Sequence, residues 1–398
     1  MTALAPPGAG LVQAAELDPS FIRLSDPDIT VAELSAVDAL LRSPRISGGP
    51  VTEAFENSFA AYLGRKYGVA VGSGTIGLLL ALKALGITPG QEVIASPYGF
   101  RETVHAISLA GARPVFADID YWSGALFSAS VEERITARTR AIVGANPNGH
   151  PGQWSELRAL AERHRLPLIE DCTEAIGSRY KGKLVGTFGD IAVFDFAQPS
   201  ALTCGEGGMV VTDDLNTAMA LRRHRGRGLD ERGSVIVGSA APLQGGMSDL
   251  AAALGLAQLD RLDQILERRR LVEQLYALHM QSFEGIKPPY VGPDVTEVNW
   301  FLYLVHLGTR FSRSSRDAIL DDLRMEKIEA AAYCHPLHLQ PHYSEFGYRR
   351  GDFLVTEKIA DRAVALPFHT HLTDGQIEFI VERMKDASIN VGAGAAIY

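Results

Sequence analysis

The chain has 398 residues, 46% of them hydrophobic, and a formal charge of −9 from 38 basic and 47 acidic side chains. That apolar content is enough for a large core and two domains. No concentrated basic stripe invites nucleic acid, and no segment reaches the roughly 18 consecutive apolar residues of a membrane span.

Residues 1–26 read as a flexible N-terminal arm: the first 20 are rich in Ala, Pro and Gly and lack the basic start and apolar centre of a signal peptide. Residues 30–42 are expected to form a helix, and "ISGGPVTEAFENSFAAYLG" turns through Gly48-Gly49-Pro50 into a second. Short apolar runs follow as strands: 92–96 (EVIAS), 114–118 (PVFAD), 141–146 (AIVGAN), 167–171 (PLIED), 191–196 (IAVFDF) and 208–213 (GMVVTD). Helical stretches lie between several of them, at Thr103–Ala110 and Ser155–Arg165. Buried strands alternating with helices give an α/β fold with a mostly parallel sheet, whose ligands sit beyond the carboxyl ends of the strands.

After Met247 the pattern changes. A long amphipathic helix over about 249–281 leads to a strand at 299–307 and helices near 314–325 and 374–385. The expected division is a large α/β domain at 27–260 and a smaller C-terminal α+β domain at 261–398. The basic stretch 222–232, "RRHRGRGLDER", reads as a solvated or subunit-contact loop. Three widely spaced cysteines, Cys172, Cys204 and Cys334, give neither a disulfide framework nor a zinc pattern. They suggest a reducing, cytoplasmic setting and no metal.

Three stretches carry chemistry. "GSGTIGLLLALKALG" (72–86) runs from a glycine turn into a helix, and Gly74 and Thr75 would offer an anion site at its N-terminus. The alternative is a capped, buried helix, and GxxxxGK[ST] is absent. "LIEDCTEAIG" (168–177) sets Asp171 at a strand end, as a cap or as a ligand contact, with Glu174 on the same face if a helical turn follows. "SPYGFRETVHAI" (96–107) offers Phe100 as a stacking platform or as core.

In order and spacing, SGT, PYxF, EDCxEA, the strand-loop-GEGG unit at 194–208, "MSDLAAALGLAQL" and "LPFHTHLT" resemble the DegT/StrS-type sugar aminotransferases over about residues 27–387. The resemblance implies the aspartate-aminotransferase (fold type I) architecture, a homodimer, and a small-molecule substrate such as a keto-sugar or keto-cyclitol of sugar or antibiotic biosynthesis. It matches Phe100 to the aromatic that stacks on the pyridoxal-phosphate (PLP) ring and Asp171 to the aspartate on its pyridine nitrogen. Glu174 matches the residue beside the ring oxygen, and Gly74 and Thr75 the phosphate-binding turn.

Other positions depart. The family pattern is close to "FSFHATKNLTTGEGG" and this chain reads "FDFAQPSALTCGEGG", with Ser200 at the Schiff-base lysine and Asp195 at a phosphate-binding serine. A segment like "GFNYRMSD" becomes "PLQGGMSD", with Gln244 for the asparagine and Gly246 for the arginine. Arg101 and Glu102 bring charges beside the stacking residue, and an Asp195–Arg101 ion pair is expected to fill the phosphate pocket. Two unit charges about 4 Å apart interact by about 4 kcal/mol at an effective dielectric near 20. An ionised Asp195 would thus oppose a phosphate. The reading from these departures is a PLP-independent enzyme of isomerisation, dehydration or cyclisation type, with no cofactor. Asp171, Glu174 and Asp195 would be its acids and bases, with Ser200, His105 and Cys204 as further candidates. Two alternatives stand beside it: PLP or pyridoxamine phosphate (PMP) held non-covalently by an aminotransferase-like enzyme, and a non-catalytic partner subunit of an active homologue.

Overall fold

The computed structural model describes residues 18, 20–226, 242–281 and 285–395. Most of the expected arm, and residues 227–232 of the basic stretch, lie outside the described residues. The described end of the arm is held down: Ile22 is buried and pairs with Ile328, with both backbone hydrogen bonds at 2.9 Å.

Two helices, α1 (Val31–Leu41) and α2 (Pro50–Leu63), open the chain. Thr30 caps α1 in a capping box with Glu33, and Pro50 starts α2, where its missing N–H has no helical partner to lose. Then come β1 (Tyr67–Val71), α3 (Gly74–Ala84), β2 (Glu92–Ala95), α4 (Glu102–Leu109), β3 (Arg113–Phe116), α5 (Ser128–Arg134), β4 (Thr139–Ala145), α6 (Trp154–His164) and β5 (Leu168–Asp171). A small hairpin, β6 (Arg179–Tyr180) and β7 (Lys183–Leu184), precedes β8 (Ile191–Asp195), β9 (Gly208–Thr212) and α7 (Leu215–Arg225).

Seven of these strands form one sheet in the order β1-β9-β8-β5-β4-β2-β3. β9 alone runs against its neighbours. The expected mostly parallel sheet is therefore present, with one strand, β1, that the sequence reading did not include. On one face α3 packs against α4, α7, β8 and β9. Leu78, Leu80 and Leu82 are fully buried there, each worth about 1.5–3 kcal/mol of transfer free energy. Gly77 permits the close approach, since a Cβ there would stand 2.9 Å from Val193 and 3.1 Å from Val210. That contact sets the N-terminus of α3 against the carboxyl end of β8.

The expected single helix over 249–281 is two, α8 (Asp249–Asp260) and α9 (Leu262–His279). Arg261 between them leaves helical geometry, at φ −107° and ψ 2°. Its guanidinium pairs with Asp28 at 2.9 Å and with Glu33, tying the break to α1. Beyond it lie β10 (Ile286–Lys287), β11 (Val295–Glu297), β12 (Tyr303–Leu307), α10 (Arg313–Met325), β13 (Ala331–Ala332), α11 (Leu354–Ala360), β14 (Ala363–Leu366) and α12 (Asp374–Ala395). A four-stranded sheet, β10-β12-β14-β13, carries its own core, while β11 joins the hairpin of β6 and β7. The strand expected from 299 begins only at Tyr303, because buried Arg269 takes the carbonyls of Trp300 at 2.5 Å and Phe301 at 3.1 Å. Among the described residues no helix is long and apolar enough to cross a membrane, and no cluster of His, Cys, Asp and Glu could hold a metal ion.

Candidate functional site

The carboxyl ends of β5 and β8 and the N-terminus of α3 converge on one cleft of about 270 Å³. β5 alternates its side chains, as a strand must. Glu170 turns away and accepts backbone N–H groups of Gly186, Phe188 and Gly189 at 2.7–3.1 Å. Asp171 turns the other way, into a small pocket beside the cleft that shares Phe100, Thr103, Thr173 and Glu174 with it, and is 3% exposed. It accepts the Thr103 hydroxyl, and the Thr173 amide at 3.1 Å. The Thr173 bond closes a side-chain turn, so residues 172–177 form turns rather than the helical turn considered for Glu174. Burial pushes the Asp171 carboxyl above its ordinary value against these donors.

Glu174 lines the cleft and is also buried. The Tyr333 hydroxyl donates to it at 2.5 Å, and the Asn148 amide donates to it as well. Burial dominates, and the Glu174 carboxyl is pushed up to about 8. Phe100 follows Gly99, whose φ of +127° turns the chain between β2 and α4. The Phe100 ring is 39% exposed at the cleft and meets Phe301 edge-on at 5.5 Å.

Ser73 caps α3, its hydroxyl accepting the Ile76 amide at 3.3 Å. Gly74 and Thr75 line the cleft at this end, together with Asp195. Asp195 does not form the expected ion pair: among the described residues Arg101 pairs with its own neighbour Glu102, at 3.3 Å on the surface. The Asp195 carboxylate instead accepts two backbone amides, Gly74 at 2.6 Å and Ala197 at 2.7 Å. A carboxylate at a helix N-terminus satisfies orphan donors and the helix dipole without needing a cation.

The remaining candidates stand apart from the cleft. Ser200 is half-buried and does not line it, although Ala197, Gln198 and Pro199 do. His105, on α4, packs against His342 and Tyr343 with ring centroids 6.0 and 6.2 Å away. Gln244 is exposed, at a φ of +55°, on a loop pinned to β1 by the Gly72 amide on the Gly245 carbonyl at 2.8 Å. Cys204 is buried beneath the Glu206 carbonyl, and burial pushes its thiol up to about 12. The sequence reading missed Thr103, Asn148, Tyr333 and Glu206. Thr103 stands three residues after Phe100, a spacing the sequence shows; Tyr333 is brought in from beside β13 of the four-stranded sheet by the fold.

The cleft presents Glu102, Glu174, Asp195 and Glu206, and no lysine, arginine or histidine is among its described lining residues. At the ring end the residues present suit a pyridine-type cofactor: the half-exposed Phe100 face lines the cleft, and the buried Asp171 carboxyl lies in the small adjoining pocket that shares Phe100, Thr103, Thr173 and Glu174 with it. At the other end, the Gly74 amide that a phosphate would use already holds Asp195.

Comparisons with known proteins agree with this geometry. The chain is 34% identical to the spore coat polysaccharide biosynthesis protein SpsC of Bacillus subtilis, covering 92% of this chain and 97% of that one. It is 34% identical to the GDP-perosamine synthase of Escherichia coli O157:H7, covering 92% and 98%. Its structure overlays that of Spr1654 from Streptococcus pneumoniae in its PMP form with a TM-score of 0.89, at 26% identity over 94% of this chain and all of that one. It overlays S. venezuelae DesV in complex with a ketimine intermediate with a TM-score of 0.84, at 30% identity over 92% and 98%. The expectation of a cofactor-free protein is thereby corrected: the S. pneumoniae neighbour was solved in both a PLP form and a PMP form. Residues 27–385 match the DegT/DnrJ/EryC1/StrS aminotransferase family, and the chain belongs to that family.

Proposed function

We propose that this protein is a sugar-aminotransferase-type enzyme that holds PLP or PMP without a covalent bond and acts on a small sugar-like carbonyl or amine substrate. Family membership supports the substrate class. The observation that carries the cofactor reading is Asp171, a buried carboxyl at the end of β5 held by Thr103 and Thr173. Non-covalent binding follows from the sequence, since no lysine occurs between Phe194 and Gly208 and Ser200 takes the position where the family resemblance puts one.

When bound, such a cofactor supplies an electron sink and a carrier for an amino group. Asp171 would keep the ring nitrogen protonated, and Phe100 would cover one ring face. With no lysine or histidine among the described lining residues, proton transfer falls to carboxyl groups. Glu174 suits that role: a group titrating near 8 can both give and take a proton close to neutral pH. Tyr333 and Asn148 fix its Oε2, leaving its other oxygen available.

A homodimer is part of this reading. The exposed apolar residues of α1, Val31, Leu34 and Leu41 at 74, 63 and 58% exposure, would suit a self-complementary contact.

The test is a titration of the purified protein with PMP, followed by cofactor absorbance and protein fluorescence. Saturable binding that Asp171→Asn weakens is expected, together with no covalent label after borohydride treatment of the PLP-loaded protein. Absence of binding, or a borohydride-stable label on the protein, would sink the proposal.

A further inference from the structure

Asp195 occupies the place of a ligand group. Its Oδ2 takes the Gly74 amide at 2.6 Å and its Oδ1 takes the Ala197 amide at 2.7 Å, so one side chain occupies two backbone donors at this end of the cleft, which Thr75 also lines. The packing leaves no spare room: a Cβ on Gly74 would stand 2.8 Å from Asp195 Oδ2 and 2.9 Å from its Cβ. No cation among the described lining residues offsets the charge, and Glu206 adds another carboxylate nearby. An anion from solution and the Asp195 carboxylate therefore compete for the same amides.

We propose that Asp195 is a built-in anion at the helix-terminal end of the cleft, so that a phosphate-bearing ligand reaches the Gly74 and Ala197 amides only by displacing its carboxylate. The inference rests on the cofactor reading above and adds to it a residue that sets affinity for the phosphate group. Recognition then comes mainly from the ring end, at Asp171 and Phe100, and the phosphate contributes little. Burial raises the Asp195 carboxyl above its ordinary value, consistent with a charge that has amides but no counter-ion.

The repulsion between two unit charges about 4 Å apart, at an effective dielectric of about 20, corresponds to roughly a thousandfold in affinity. Half-exposure of the site reduces this, and a change of about tenfold or more remains as the expected effect.

The experiment uses the full chain and three probes: PMP, pyridoxamine and inorganic phosphate. The wild type is expected to bind PMP little better than pyridoxamine. Asp195→Ser is expected to bind PMP about tenfold or more tightly than the wild type does, with pyridoxamine affinity unchanged. Inorganic phosphate at about 10 mM should raise the Tm of Asp195→Ser and leave that of the wild type unmoved, because the vacated amides accept the free anion. Asp195→Asn, which keeps a cap on the helix and loses the charge, should lie between the two and guards against a folding defect in the serine variant. Equal stabilisation of wild type and variants by inorganic phosphate, or a wild-type preference of a hundredfold for PMP over pyridoxamine, overturns the inference. If pyridoxamine and PMP bind to none of the proteins, the cofactor reading falls, while the inorganic phosphate arm still decides the role of Asp195.

Discussion

The hydroxyl of Tyr333 donates to the Glu174 carboxylate at 2.5 Å, joining a turn after β5 to a residue 159 positions away, just beyond β13. The Asn148 amide reaches both the Tyr333 oxygen, at 2.8 Å, and the Glu174 carboxylate. The seven-stranded sheet and the four-stranded sheet therefore meet through a polar network beside the cleft. Tyr333→Phe removes one donor from a buried carboxyl and keeps the ring packing against Tyr98. A loss of about 1–2 kcal/mol in urea unfolding is expected. A variant as stable as the wild type would show that the hydroxyl is not spending its hydrogen bond on Glu174.

The same carboxyl gives the stability a pH dependence whose sign is fixed. Burial raises Glu174 from the ordinary 4.5 to about 8. Between those values the folded protein holds a proton that the unfolded chain has released. The contribution of this group is therefore intact below pH 4.5 and declines as pH rises, until it is lost by about pH 8. Glu174→Gln cannot titrate. The wild-type minus variant difference in unfolding free energy should fall by roughly 3–5 kcal/mol over that window. A difference that is flat from acid to mildly alkaline pH would mean that Glu174 stays ionised in the fold.

Much of the architecture is legible in the sequence because burial writes itself as uninterrupted apolar runs. β2, β5, β8 and β9 each lie within such a run, and β4 extends the one at 141–146 back to Thr139. β1, Tyr67–Val71, was passed over because five residues with a glycine among them, next to a glycine turn, carry little signal. The break at Arg261 was hidden for another reason: an arginine is a good helix former, and only its ion pairs to α1 reveal why the helix ends there. At the site, Asp195 was rightly singled out as a charge, but its partner was sought among side chains. Its real partners are the amides of Gly74 and Ala197, which no residue letter encodes. Tyr333 was invisible because its partner lies across a long separation in the chain.

Arg261 tests how firmly the two halves of the expected 249–281 helix are tied to the N-terminal helix. Its guanidinium reaches Asp28 at 2.9 Å and also Glu33, both nearly fully buried, with Arg268 adding a contact to Asp28 at 2.5 Å. Arg261→Met leaves buried carboxylates short of a counter-charge and is expected to cost about 3–5 kcal/mol. Pairing it with Glu33→Gln should recover part of that loss, because the neutral amide no longer needs the guanidinium. Strict additivity of the two single changes would mean that the pair does not interact.

Two glycines in helices give the same substitution opposite signs. At Gly375, the second residue of α12, an added Cβ meets nothing within 4 Å, so Gly375→Ala gains helix propensity alone, up to about 0.5 kcal/mol of stability in the first turn. At Gly77 the added Cβ would press on Val193 at 2.9 Å and Val210 at 3.1 Å, on two adjacent strands of the main sheet. Overpacking there costs about 1–3 kcal/mol and exceeds the propensity gain, so Gly77→Ala should destabilise. It should also act on binding. Pushing α3 off β8 moves the Gly74 amide relative to Asp195, at the end of the cleft where both sit. PMP affinity should therefore change in Gly77→Ala and stay at the wild-type value in Gly375→Ala. If Gly77→Ala is as stable as Gly375→Ala and binds PMP as the wild type does, then the close helix–sheet contact is not what positions the site.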